Sequence, residues 1–305
     1  MSSILTNPTA MTALRTLQQT NTQLAQVQDR VSTGFRVAEA KDNAAYWAIA
    51  TTMRSDHKAL STVQDALGLG AAKVDVTYTA LKTAISVVDE IKSKIVAARE
   101  PGVDKTKIQD EITALQEQLR STAGSASFSG ENWLSVDSGA ANYVQVKSIV
   151  SSFTRTSAGV QVQTIDIDTS TLELYDAADQ SGIADSEFTT TGSGAVTVSV
   201  DTLDITAAGL DNVDIDDMIS AVDSRLQQLT ATASEAGAAK KRISLQTDFV
   251  GALLDSIEMG IGTLVDADMT KESTRLQALQ TQQQLGIQAL SIANSSAQNI
   301  LSLFK

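Results

Sequence analysis

Cysteine is absent from the 305 residues of this chain, which excludes a disulfide framework, a thiolate metal site and a cysteine nucleophile. Histidine is almost as scarce. The single one, His57, has no nucleophile or carboxylate placed by the sequence to partner it as a general base, and is expected to be a helix-surface or packing residue. Only two prolines interrupt the chain and aromatic residues make up 4%, a composition suited to long helices packed side by side. Positive charge is also in deficit, with 23 Lys and Arg against 36 Asp and Glu and a formal charge of -13. The longest basic run, Lys240-Lys241-Arg242, is too short to follow a phosphate backbone, so no nucleic-acid partner is expected.

No cofactor or metal is expected. Asp211, Asp214, Asp216 and Asp217 lack the spacing and terminal Glu of a calcium loop and read as helix-capping residues, with Asp214 as the cap. Gly260-Ile261-Gly262 lacks the rest of a phosphate-binding fingerprint. No run is long and apolar enough for a membrane span, and Met1-Ser2-Ser3-Ile4-Leu5 lacks the basic start of a secretory signal. The chain is therefore expected to stay in the cytoplasm or to leave by a dedicated exporter.

What is present is a division of charge. Residues 1–28 contain one ionisable side chain, Arg15, and residues 276–304 contain none. A solitary soluble helix covers its outer face with Lys and Glu. These segments use Gln, Asn, Ser and Thr, which can be buried if they find hydrogen-bond partners, where an unpaired charge would cost several kcal/mol more. Such ends suit burial against copies of the same chain. The acidic run between Asp166 and Asp223, with no Lys or Arg among it, is expected to be a solvated face.

The apolar spacing predicts mainly α structure with a β-rich insertion. Ala10, Leu14, Leu17, Leu24, Val27 and Val31 form a stripe ending at Gly34, followed by an irregular connector at 32–43. A second helix is predicted over 44–99, with Ile49, Met53, Leu60, Val63, Leu67, Val74, Tyr78, Leu81, Ile85, Val88, Ile91 and Ile95 on its seam; Pro101-Gly102 breaks it. Such a helix would span roughly 80 Å. Asp104 caps a shorter third helix. From 123 to 211 the period changes to two, in Tyr143-Val144-Gln145-Val146, Val160-Gln161-Val162, Ile165-Asp166-Ile167 and Val196-Thr197-Val198-Ser199-Val200. Helical spacing returns from Asp214, softens at Gly260-Ile261-Gly262, and resumes after Asp268 or Thr270 through Leu276, Leu279, Gln283, Gly286, Leu290, Ala293, Ala297, Ile300 and Phe304. Tyr46-Trp47 is expected to pack where the connector meets the second helix.

At this point two stretches carry a family resemblance. Val31-Ser32-Thr33-Gly34-Phe35-Arg36-Val37-Ala38-Glu39-Ala40-Lys41-Asp42-Asn43-Ala44-Ala45 resembles the amino-terminal signature of bacterial flagellins, and Ala293-Asn294-Ser295-Ser296-Ala297-Gln298-Asn299-Ile300-Leu301-Ser302-Leu303 resembles their carboxy-terminal signature. The likeness covers roughly the first 130 and last 90 residues. It implies an elongated subunit of the flagellar filament, with long antiparallel coiled-coil helices from both termini and a β-hairpin or sheet segment at the distal end. Residues 1–43 and 265–305 would form an inner tube with its connector, 44–130 and 211–264 a helical rod, and 131–210 a β-rich outer extension.

Subunits would pack in the core through Leu14, Leu17, Leu24, Val27 and Val31 from one end and Leu276, Leu279, Leu290, Ile300, Leu301 and Phe304 from the other. The implied partners are many copies of the same chain, sister flagellins, the flagellar export apparatus and its chaperone, and the filament cap and hook-associated proteins. In other flagellins the segment matching 29–50 is read by a plant immune receptor; here it contains Arg30, Ser32, Gly34, Arg36, Lys41 and Asp42. Asn43 stands where a second Asp is usual, and Tyr46-Trp47 replaces a Gly and a small or aliphatic residue. Asp89 and Glu90 fall where many flagellins carry an Arg-containing motif read by an animal Toll-like receptor. Weak signalling to both receptors is therefore expected. A hook–filament junction protein and a cytoplasmic signalling coiled coil are the alternatives to a filament subunit.

Overall fold

The computed structural model describes the backbone of residues 7–156 and 159–303, and the side chains of 7–156 and 159–295. The fold is mainly helical, with short strands between the helices. Its elements are α1 (Pro8–Thr33), α2 (Ala44–Ala98), α3 (Lys105–Ser125), α4 (Asn212–Val265) and α5 (Met269–Leu303). Between α3 and α4 lie β1 (Ser127–Phe128), β2 (Glu131–Asn132), β3 (Ser135–Val136), β4 (Val146–Thr156), β5 (Gly159–Asp168), β6 (Tyr175–Asp176), β7 (Phe188–Thr189) and β8 (Thr197–Val198). The chain divides into two compact units, Met1–Lys58 with Leu254–Lys305, and Ala59–Leu253.

Local chemistry explains the helix boundaries. The Asn7 side chain accepts from Ala10 N at the start of α1, Pro8 occupies the first turn, and Gly34 closes the helix at φ 78°. Asn43 caps α2 through Tyr46 N at 3.2 Å, and Asp104 caps α3 through Thr106 N at 3.1 Å. For α4 the cap is Asp211, not Asp214: Asp211 Oδ1 accepts from Val213 N and Asp214 N, while Asp214 Oδ2 reaches back to Asp211 N at 3.1 Å. This is a reciprocal arrangement, with orphan amides satisfied by two carboxylates. The expected softening at Gly260-Ile261-Gly262 is absent, and α4 runs on to Val265.

In the unit Ala59–Leu253, Leu67, Leu81, Ile91 and Ile95 of α2, Ile112 and Leu119 of α3 and Ile215 of α4 are all fully buried. Lys92 pairs with Asp223 at 2.5 Å, Arg99 with Asp216 at 2.8 Å, and Lys240 with Asp75. Ion pairs this open to solvent add little to stability and serve to fix register. The one long strand pairing among the described residues is β4 with β5, antiparallel, with Ile149 opposite Ile165 and a bulge between Val150 and Ser152. Ile149, Ile165 and Ile167 are buried on one face of this hairpin. Ile149 lies directly over Gly70 of α2, where a Cβ would come within 2.5 Å of its Cγ2. The Gln246 amide of α4 donates to Ser151 O at 2.9 Å.

Much of the predicted alternation yields only fragments of strand. In 143–146 only Val146 belongs to a strand, and in 196–200 only Thr197–Val198. In 196–200 local bonds compete with ladder pairing, Ser199 Oγ accepting from Thr202 N and Thr202 Oγ1 from Ser199 N, and at 143–146 a turn does, Tyr143 N donating to Ala140 O. Asp168 Oδ1 accepts from Ser170 N, Asp179 Oδ1 from Ser181 N, and Asp204 Oδ1 from Thr206 N. Asp176 Oδ1 accepts from both Ser138 N and Ala178 N. The acidic run is therefore not simply a solvated face: Glu173, Asp176 and Asp214 are buried. Two glutamines of α3 hold the following loop, with Gln116 Nε2 donating to Val200 O and Gln109 Oε1 accepting from Ile205 N, both at 2.9 Å.

Candidate assembly surface

In the unit formed by both ends of the chain, α1 and α5 pack antiparallel. Asn7 Nδ2 donates to Ala293 O at 2.9 Å, Leu17 lies over Gly286, and Gln283 Nε2 donates to Asn21 Oδ1 at 2.8 Å. Near the other end of the pair, Arg30 meets Glu272 at 3.4 Å. On α1 the covered seam positions are 10, 13, 17, 20, 24, 27 and 31, with Arg30 covered beside them, and on α5 they are 272, 276, 279, 283, 286, 290 and 293. Both sets alternate strictly by three and four, the spacing that keeps a seam facing its partner. The polar side chains in it find partners: Thr20 Oγ1 donates to Thr16 O at 2.9 Å, Gln283 uses Asn21, and Glu272 pairs with Arg30. Gly286 leaves room for Leu17, whose Cδ1 would sit 3.2 Å from an added Cβ.

The connector is pinned by backbone bonds. Phe35 bridges to Asp266, Arg36 N and Val37 N both donate to Val265 O, and Ala267 N donates to Gly34 O at 2.8 Å. The Arg36 guanidinium donates to Leu264 O at 2.9 Å, satisfying a carbonyl at the end of α4. Asp42 Oδ2 accepts from Ala38 N and Glu39 N, each at 3.1 Å. Beneath it, Val37, Ala50 and Val265 form a small core with Ile261 and Leu264.

Outside the seam, α1 and α5 still present uncovered apolar side chains: Met11, Leu14, Leu285, Ile287 and Ile292, the last 68% exposed. Around them lie amides and hydroxyls and, through most of both helices, no charge. Among the described residues no helix is long and apolar enough to cross a membrane. Residues 4–138 match the family described as bacterial flagellin N-terminal helical region, and residues 219–304 the bacterial flagellin C-terminal helical region. The chain belongs to the bacterial flagellin family. It is 53% identical to Flagellin C of Rhizobium meliloti (strain 1021), with the whole of both chains covered. Flagellin A of Rhizobium meliloti is 43% identical and a flagellin of Brucella melitensis 44%, again over the full length of each.

Within this flagellin, the residues singled out for packing fall into three groups. Val27 and Leu279 are buried, and Leu17, Leu24, Val31, Leu276 and Leu290 lie half-buried on the α1–α5 seam. Leu14 is off the seam and 44% exposed; the heptad selects Ala13 and Thr20, which a search for large apolar residues passes over. Ile300 and Leu301 belong to α5 with side chains outside the described residues, and Phe304 lies outside them altogether. Glu272 and Asn21 were also missed, and only the pairing of the two helices reveals them.

The segment matched to receptor recognition is occupied with structural work. Arg30 pairs with Glu272, Gly34 takes a positive φ, Lys41 pairs with Glu39 at 2.7 Å, and Asp42 ties the loop, while Ser32 is exposed. A hydrogen bond and the charge of Glu39 raise the Lys41 ammonium above its ordinary value. Asp89 and Glu90 are exposed on α2. Tyr46 and Trp47 are more than half covered yet keep 41% and 37% of their surface exposed, and Ile49, expected on the seam of α2, yields that place to Ala50. His57 is half-buried beside Phe35, Arg54 and Glu258.

Proposed function

We propose that this chain is a structural subunit of the bacterial flagellar filament, polymerising with copies of itself and with sister flagellins. The observation that carries the reading is the α1–α5 pair: internally zipped, free of charge over most of its length, and still bearing Met11, Leu14, Leu285, Ile287 and Ile292 uncovered. Uncovered apolar rows on an uncharged helix pair are costly in water and gain on burial against neighbours. Residues 1–43 and 265–305 form the inner tube, 44–130 and 211–264 the rod, and 131–210 the outer extension. The seam leucines and valines hold each pair together, and Leu14 with the other uncovered residues makes the contacts between subunits.

The subunit leaves the cell through a dedicated export apparatus with its chaperone, and is placed under a cap on hook-associated proteins. Its work is mechanical. Electron microscopy of the purified chain after seeding or salting-out tests the reading: long helical filaments are expected, and a chain that stays monomeric under every such condition refutes it. Long filaments made by this chain alone also distinguish it from a junction protein, which assembles over a short zone.

A further inference from the structure

We propose that Tyr46 and Trp47, with Ile49 one turn on, form an anchor between subunits, seated against the uncharged α1–α5 pair of a second copy of the chain. The inference rests on the filament reading and names one of its contacts. At the start of α2 the buried position belongs to Ala50, while the larger Tyr46, Trp47 and Ile49 around it keep 41%, 37% and 50% of their surface exposed. A helix arranged only for its own monomer would place the large groups inside and the small one outside. Aromatic residues are 4% of this chain, and here two adjacent ones are left exposed.

The pair is also preorganised. Asn43 holds the turn beneath it, its side chain accepting from Tyr46 N and its carbonyl from Trp47 N at 2.9 Å, while Asp42 fixes the preceding loop. Rigid Tyr and Trp side chains on a fixed backbone lose little conformational freedom on binding, which is why they dominate interface energetics. Burying this surface strands no cation. Arg36 is committed to the carbonyls of α4, Lys41 to Glu39, and Arg54 lies 5.2 Å from the centre of the Phe35 ring.

The receiving surface is complementary in kind. Met11, Leu14 and Ile287 offer apolar area on one side of a helix pair whose only nearby charge is Arg15, so an indole or phenol ring docks there without desolvating a carboxylate. Donor and receiver are different surfaces of the same chain. Such a heterologous contact does not close on itself but propagates into an open helical polymer.

Trp47 reports on its own burial. The chain has two tryptophans, and Trp133 is buried at 4% exposure, so Trp133→Phe leaves Trp47 as the sole fluorophore. On polymerisation its emission is expected to shift to the blue and its acrylamide quenching to fall several-fold. If Trp133→Phe fails to fold, the unaltered chain gives the same reading over a constant background from buried Trp133. Tyr46→Ala with Trp47→Ala is expected to raise the concentration needed for polymerisation about tenfold, with the unfolding midpoint of the monomer unchanged. Filaments in which Trp47 stays as quenchable as in the monomer, or in which the double variant assembles at the parental concentration, overturn the anchor and leave the filament reading intact. Failure of the unaltered chain to assemble overturns both.

Discussion

Two glycines two residues apart in α2 should respond to the same substitution with opposite signs. Gly68 is exposed, and an added Cβ there meets nothing within 4 Å. Gly68→Ala then acts only through helix propensity and is expected to stabilise by about 1 kcal/mol. At Gly70 the added Cβ lies 2.5, 2.7 and 3.0 Å from Cγ2, Cδ1 and Cγ1 of Ile149. Ile149 is β-branched and held by its pairing with Ile165, so it cannot swing aside. Overpacking of this kind costs about 1–3 kcal/mol, which offsets the propensity gain and leaves Gly70→Ala neutral to about 2 kcal/mol destabilising. The two variants should therefore differ by about 1–3 kcal/mol. For a unit of this size that is roughly 2–12 °C between their melting midpoints, at about 2–4 °C per kcal/mol. Monomer unfolding followed by circular dichroism reads this directly. In an Ile149→Ala background, itself about 2–5 kcal/mol less stable, the obstacle is gone and Gly70→Ala should become stabilising. Equal shifts at both glycines, or a Gly70→Ala that still destabilises once Ile149 has been truncated, would refute the claim that the hairpin rests on α2 at this point.

Gly286→Val should separate α1 from α5 by driving a branched side chain into Leu17, so polymerisation is lost while unfolding of residues 59–253 is unchanged; sedimentation and melting of the same sample check both. Hydrogen bonds from Asp214, Ser193 and Val213 hold the Asp211 carboxyl down to about 2, so its contribution to stability is present above the ordinary value of 3.8 and lost as pH falls toward 2. Burial raises Glu173 and Asp185, which act in the opposite direction, so the difference between the parent and Asp211→Asn isolates the effect: it should shrink between about pH 4 and 2, and a constant difference would contradict it. Purified monomer should signal weakly to the plant and animal receptors; strong activation at nanomolar-scale doses would contradict that expectation.

The helical framework is legible because the seams repeat strictly by three and four, and because Pro101-Gly102, Gly34, Asp104 and Asp268 mark the breaks. Leu14 misleads because size is easier to weigh than period, so a threonine and an alanine that keep the period are passed over. Asp214 resembles a cap until Asp211 is seen to take the amides while Asp214 reaches back to it. The alternation in 143–146 and 196–200 looks like strands because the turn before Tyr143 and the Ser199–Thr202 bonds, which divert the backbone, leave no mark on hydrophobic period. The exposure of Tyr46 and Trp47 has no trace in the sequence, since the small side chain that fills their expected place, Ala50, is set by how α2 meets Val37 and Val265.

The turns built on Asp168, Asp179 and Asp204 each close on an amide two residues further along, so whatever folds such a turn is written inside it. Editing one leaves the next undisturbed. Natural variation can therefore remodel this stretch piece by piece, whereas any change along the zipper between the chain's two ends must be matched on both strands of the coil at once.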